Sequence, residues 1–258
     1  MPLLYPMSRL PVPRFFVKIK IHHKENSVNK KAWIIFASVC VVLIAGLVYM
    51  SNKNRIDVSK VDLNAIHKAD DASGQIGDHV YGKTDSKVML IEYGDFQCPA
   101  CGSAHPTVKK LTEKYKDQIA FVFRNFPLTN IHPNARAASA AVEAAGLQGK
   151  YWEMHNFLYE NQNAWSSLSS DERTDYFVVS AKQLGLNADT LQSDMASESI
   201  NQKINFDRAL GTKADVSATP TFFVNGKKVA EDVRTNEDKF DDLLKEEMKR
   251  QGIKVPKE

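Results

Sequence analysis

The stretch GDFQCPACGSAHP, Gly94 to Pro106, sets Cys98 and Cys101 three positions apart, and Cys40 is the only other cysteine of the chain. A pair at this spacing can staple a fold, form half of a metal site or exchange disulfides. The flanking residues narrow the choice. Before the pair, Val88 to Tyr93 is a short apolar run bounded by Ser86 and Gly94, the pattern of a strand buried on both faces. After it, Ala104, Val108, Leu111 and Tyr115 recur at helical spacing, with Pro106 expected to kink the helix. Ile119 to Asn125 reads as a second strand. The cysteines thus stand at the first junction of a strand–helix–strand unit, expected as a right-handed crossover.

A staple is the weakest of the three readings. A bridge across three residues removes little unfolded-chain entropy, and a chain of 258 residues can bury a core without it. A metal site would join Cys98, Cys101 and His105, but no second cysteine pair exists. A fourth ligand would have to come from His79, His132 or His155. The redox reading uses more of the pattern. Unpaired N–H groups and the dipole at a helix start stabilise an anion, so Cys98 should have a lowered pKa and be exposed. Cys101, one turn further in, should be shielded. Pro99 suits the first turn, where its missing N–H costs nothing.

Beyond Pro133 the chain reads as successive helices. Pro133 is placed at a first helical position before ARAASAAVEAAG, Tyr151, Met154 and Leu158 line a second face, and Ser170-Asp171 cap a third helix closed by Gly185. Ile200 and Ile204 belong to a further one. Strand signals return at Thr221–Val224, and Asn225-Gly226 before Lys227-Lys228-Val229 is a hairpin signal. A last helix is expected from Thr235, carrying Phe240, Leu243, Leu244 and Met248. Trp152 and Trp165 are assigned to the core of the helical block.

The other decisive segment is Ala32 to Met50, nineteen residues without a charge. At roughly 1.5 Å per residue a helix of that length matches the hydrocarbon core of a bilayer. The run is longer than a signal-peptide core and lacks its small-residue cleavage pattern, so an uncleaved anchor in the lipid bilayer is expected. Arg9, Arg14, Lys18, Lys20, Lys24, Lys30 and Lys31 precede it against Glu25 alone. The positive-inside rule then keeps residues 1–31 in the cytoplasm and sends the rest across. The overall charge of +3 resolves into −3 for residues 51–258, so no basic surface suggests nucleic acid. Cys40 lies inside the apolar run and reads as a small hydrophobe. Residues 51–78 are polar with scattered apolar positions and read as a linker that tethers the domain.

GDFQCPAC after MLIEY, with SATPTFFVNG (Ser217–Gly226) near the far end, resembles the thioredoxin superfamily over residues 79–250. The helical block between the halves resembles its bacterial DsbA-like branch, in membrane-anchored form. The resemblance implies an α/β, thioredoxin-like fold over 79–258 with a helical insertion at 133–212, preceded by one transmembrane helix. It implies that Pro220 is cis, that Thr219 offers backbone to a bound peptide, and that Glu92 is a buried acid exchanging a proton with Cys101. Taken alone, Glu92 could equally be a solvated strand end. Asp95 reads as a turn or cap residue, His105 as a solvated helix residue, and Phe96 and Gln97 as the rim of the site. The implied activity is thiol:disulfide exchange on reduced exported proteins, with reoxidation by a quinone-linked membrane partner and no bound cofactor or metal. Pro99-Ala100 lacks the histidine of strongly oxidising members and is not the Gly-Pro of thioredoxins. The motif therefore leaves direction open, and an extracytoplasmic location favours oxidation. A reductase or isomerase of the same fold, a metal carrier and a peptide-holding protein are the alternatives.

Overall fold

A computed structural model describes residues 30–53 and 56–256, in two units divided near Arg55. In the first unit, α1 (Lys30–Lys53) is a continuous helix whose Lys30–Leu47 portion is long and apolar enough to cross a membrane, and the large apolar side chains from Trp33 to Leu47 are exposed. The basic residues before Lys30, used above for orientation, lie outside the described residues.

In the second unit a five-stranded mixed sheet carries the order β1-β3-β2-β4-β5. The strands are β1 (Val80–Gly82), β2 (Met89–Gly94), β3 (Ala120–Asn125), β4 (Thr221–Val224) and β5 (Lys227–Lys228). β2 runs parallel to β3 and antiparallel to β4, so it lies at the centre, and every one of its residues is buried. Alternation along β2 assigns its side chains. Leu90 joins the larger core with Phe121, Phe123 and Phe222, on the side of α2 (Pro99–Lys114). Met89, Ile91 and Tyr93 join a second core with Val122, Phe206 and Leu210. Glu92 shares the parity of Leu90 and so faces the α2 side.

Between β3 and β4 come α3 (Ala135–Leu147), α4 (Tyr151–Glu160), α5 (Gln162–Trp165), α6 (Ser170–Gln183), α7 (Ala188–Met195) and α8 (Glu198–Lys213). Their starts are written locally. Ser169 and Glu172 form a reciprocal capping box for α6, Asn187 caps α7 and Ser197 caps α8. The cap of α6 is therefore Ser169, one residue before the expected position. α3 begins at Ala135 behind Asn134, leaving Pro133 outside the helix. Trp165 is fully buried, its indole N–H donating to Leu158 O at 2.9 Å, and Trp152 packs half-buried against the same core. After β5, a short α9 (Glu231–Arg234) takes up Thr235 as its end, so α10 (Glu237–Arg250) starts behind Asn236. The β4–β5 turn has positive φ at both Asn225 (46°) and Gly226 (77°), the reason that dipeptide marks a tight hairpin.

Residues 56–78 differ from the tether reading. Val58 and Ile76 are buried, and Lys213 Nζ donates to the carbonyls of Val58, Ser59 and Val61 at 2.9, 2.9 and 2.7 Å. Arg124, fully buried on β3, donates to Leu63 O at 2.8 Å and Ala65 O at 2.7 Å and pairs with Asp78 at 3.0 Å. Lys203 of α8 closes on both Asp78 and Asp207. This segment has no helical or strand period because long-range cations satisfy its carbonyls. Its order is invisible until Arg124 and Lys213 are placed beside it.

Candidate active site

Gly94 ends β2, and the chain turns through Asp95-Phe96-Gln97 into α2. Asp95 is more than a cap. One carboxylate oxygen accepts the N–H of Gln97 at 2.8 Å, and the other accepts Leu128 N and bonds His132 Nδ1, both at 2.8 Å. Its carbonyl accepts Cys98 N at 3.0 Å. The turn is tied from the opposite side by Gln97, whose amide donates to Ser166 O at 2.6 Å and accepts Asn134 N at 2.6 Å. Phe96, expected at the rim, is instead fully buried against Phe123 and Tyr159. A residue that sequence reading passed over, Gln162 at the start of α5, donates to both Phe96 O and Cys98 O. No local signal marked it, because its role depends on the helical block folding back over the turn.

Cys98 is the cap residue of α2 and Cys101 lies on its buried face, the two thiols unlinked. Cys98 is less exposed than the helix-start argument expected, at 7% against 1% for Cys101. The loop at Thr219–Pro220 comes to it across the sheet: its Sγ donates to Thr219 O at 3.4 Å, and the Thr219–Pro220 peptide is cis. The Thr219 hydroxyl is buried and has no hydrogen-bond partner. α2 continues through Pro106 to Lys114.

The electrostatics split the pair. The Cys98 thiol is pulled down to about 5, first by a hydrogen bond from Cys101. Burial opposes this, and Thr219 and the backbone N–H groups of Cys101 and Ala100 assist it. Cys101 is pushed well above the usual thiol range by burial, by its bond to Cys98 and by the nearby charge of Glu92. Glu92 is buried rather than solvated, and burial followed by the Cys98 charge raises it to about 8. His105 is also a correction. Instead of a solvated helix position it is 6% exposed, and burial lowers it to about 4. It sits on the Cys101 face because α2 packs against α4. Among the described residues, no group of three or more His, Cys, Asp or Glu side chains is arranged to hold a metal ion.

The thioredoxin family model matches residues 75–246, the sheet, the helical block and both site loops. The chain belongs to the thioredoxin family. Its fold is that of the DsbA-type thiol:disulfide oxidoreductases. Oxidised BdbD from Bacillus subtilis superposes with a TM-score of 0.59 at 24% identity, over 72% of this chain and 98% of that one. A thioredoxin-like oxidoreductase from Silicibacter pomeroyi DSS-3 gives 0.56 at 25% identity, over 69% and 97%. MdbA, a thiol-disulfide oxidoreductase from Corynebacterium diphtheriae, gives 0.55 at 20% identity, over 71% and 94%. Among curated relatives, Na(+)/H(+) antiporter NhaA 1 of Salinispora arenicola is 40% identical over 151 residues, 58% of this chain. The chain covers only 22% of that protein's length. The antiport named there belongs to the longer protein and is not carried to this one.

Proposed function

We propose that this thioredoxin-family chain is a membrane-anchored, extracytoplasmic thiol:disulfide oxidoreductase that introduces disulfides into reduced exported proteins. The observation that carries the reading is the opposed pull on two neighbouring thiols, Cys98 down to about 5 and Cys101 up. A sulfur that is stable as an anion is a good leaving group, so a mixed disulfide at Cys98 resolves toward the client. In the forward sequence a client thiolate attacks Cys98 Sγ, and the electron pair of the Cys98–Cys101 bond goes to Cys101. The client's second thiolate then attacks the client sulfur, forms the client disulfide and expels Cys98 as thiolate. Two electrons have passed from client to enzyme. Thr219 O and the cis Pro220 border the attacked sulfur and suit the main chain of an extended client. Glu92 supplies the proton that Cys101 needs on opening and takes it back on closing.

α1 serves as the bilayer anchor, using residues 32–50, and the domain works beyond the membrane. There an electron acceptor is required to renew the disulfide, and a quinone-linked membrane protein fits that need. Equilibration of the Cys98–Cys101 pair with glutathione tests the direction. An oxidase should stay mostly reduced in buffers that leave ordinary structural disulfides oxidised. A pair that remains oxidised against millimolar glutathione would turn the reading to a reductase.

A further inference from the structure

Asp95 and His132 take no part in the exchange steps themselves. Asp95 is wholly buried, and a carboxylate out of water must be supplied with donors. Its Oδ1 accepts the N–H of Gln97, and its Oδ2 accepts Leu128 N and His132 Nδ1, each at 2.8 Å. A carboxylate only accepts, so the His132 nitrogen that faces it carries the proton. Leu128 and His132 act as one unit, because the Leu128 carbonyl accepts the N–H of Ile131 at 3.0 Å and of His132 at 2.9 Å. The same loop reaches the turn a second time, where Asn134 N donates to the Gln97 amide oxygen at 2.6 Å.

The backbone of Asp95 serves both cysteines. Its carbonyl accepts the N–H of Cys98 at 3.0 Å, and its N–H is a hydrogen-bond donor to the sulfur of Cys101. Whatever orients the Asp95 side chain thus orients the groups around both thiols. Charge acts in the same place. A buried carboxylate in the turn that leads into Cys98 opposes a second negative charge there, the more strongly for the low dielectric. A donor on that carboxylate offsets its charge, and bonds to an ionised group are roughly twice as strong as neutral ones. His132 gives the side-chain bond, while Gln97 and Leu128 give theirs from the backbone. Its side chain is 15% exposed against none for Asp95, so a substitution there meets solvent as well as core.

We propose that His132 is a positioning residue of the redox pair: its Nδ1–H fixes the Asp95 carboxylate and so lowers the cost of a thiolate at Cys98. The proposal rests on Cys98–Cys101 being an exchanging pair and concerns what sets its redox balance. With the donor in place, the turn keeps its contacts to both cysteines and the carboxylate is held to the loop at Leu128 and His132. Without it, the carboxylate is left with the backbone N–H groups of Gln97 and Leu128, and more of its charge is felt at Cys98. The Cys98 thiolate then forms less readily and is a poorer leaving group. The dithiol loses stability relative to the disulfide, and the pair becomes a weaker oxidant.

The test uses the full chain in detergent. Leucine and asparagine have nearly the same shape, and only asparagine sets an N–H where the imidazole has Nδ1. His132→Leu should move the pH profile of Cys98 alkylation upward, so that reactivity on its acid limb falls about 3- to 10-fold. Its equilibrium with glutathione at pH 7 should move toward the disulfide by about the same factor. His132→Asn should keep both readouts within about twofold of the parent, because the donor is restored. A leucine variant with a lower urea midpoint and an unmoved profile would make His132 merely structural and overturn the proposal. So would an asparagine variant that shifts as far as leucine does. Should leucine prevent folding, the asparagine variant decides alone by the same profile. Absence of glutathione exchange in the unmodified chain would instead sink the reading of the pair, while the alkylation profile, which needs no exchange, still decides on His132.

Discussion

Glu92 is held on the central strand opposite Phe123 and Phe222, on the side where α2 presents its cysteines. Its carboxyl, raised to about 8, binds a proton in the folded protein that the unfolded chain, with a value near 4.5, has released. The folded state therefore holds more protons between those limits, and stability falls as pH rises through the window. Glu92→Gln removes this cost. The variant should match the parent in urea midpoint below pH 4.5 and exceed it increasingly up to pH 8, by on the order of 2–4 kcal/mol. Oxidation of a dithiol client should slow in the same variant, since the Cys101 thiolate released on opening loses the carboxyl that supplies its proton. A stability gap independent of pH would mean that Glu92 does not titrate as a buried acid. Residue identity hinted at this much: an acid inside MLIEY is out of place in a buried strand. The hint lacked the parity that turns Glu92, and not a neighbour, toward α2.

At the scale of elements, the start of α2 depends on α5. Gln162 donates to Phe96 O at 2.7 Å and Cys98 O at 2.9 Å, spanning the turn that precedes the helix. The close approach requires a glycine. A Cβ at Gly102 would stand 2.5 Å from Gln162 Oε1. Gly102→Ala should thus push the Gln162 amide away from the turn, costing about 1–3 kcal/mol although alanine is the better helix former. Gln162→Ala should cost a similar amount, and the double variant less than the two together, with a coupling of about 1 kcal/mol. Urea midpoints of the four proteins measure it, and strict additivity would show that the two positions do not act on one another. The cysteine spacing and Pro99 made the helix start legible. Its support was not, because Gln162 lies sixty-four residues from Cys98 and carries no pattern of its own.

Across the whole domain, residues 56–78 and the helical block are joined through β3. Arg124 reaches Leu63, Ala65, Asp78 and Tyr93, while Lys203 links Asp78 to Asp207. Burial of Asp78 alone would raise its pKa, but Lys203 and Arg124 outweigh it and hold the carboxyl well below the usual range. Arg124→Leu leaves two carbonyls unpaired and Asp78 with one cation, and should lower stability by about 3 kcal/mol. Urea unfolding reads the loss, and hydrogen exchange should show residues 58–65 opening first; an unchanged midpoint would return this segment to a free tether. By itself the sequence determined what depends on neighbours in the chain. It settled the apolar run of α1, the strand–helix–strand unit around Cys98 and Cys101, the Asn225-Gly226 hairpin, and the family carried by GDFQCPAC and SATPTFFVNG. Period, capping and turn chemistry act over a few residues and leave a local trace. Tertiary structure alone decided the burial of Cys98 and His105, the service of Gln162 and the order of residues 56–78. It also brought Thr219–Pro220 to the thiols. These rest on contacts between residues far apart in sequence, where desolvation and hydrogen bonding depend on what the fold places opposite each group, and neither composition nor period records that.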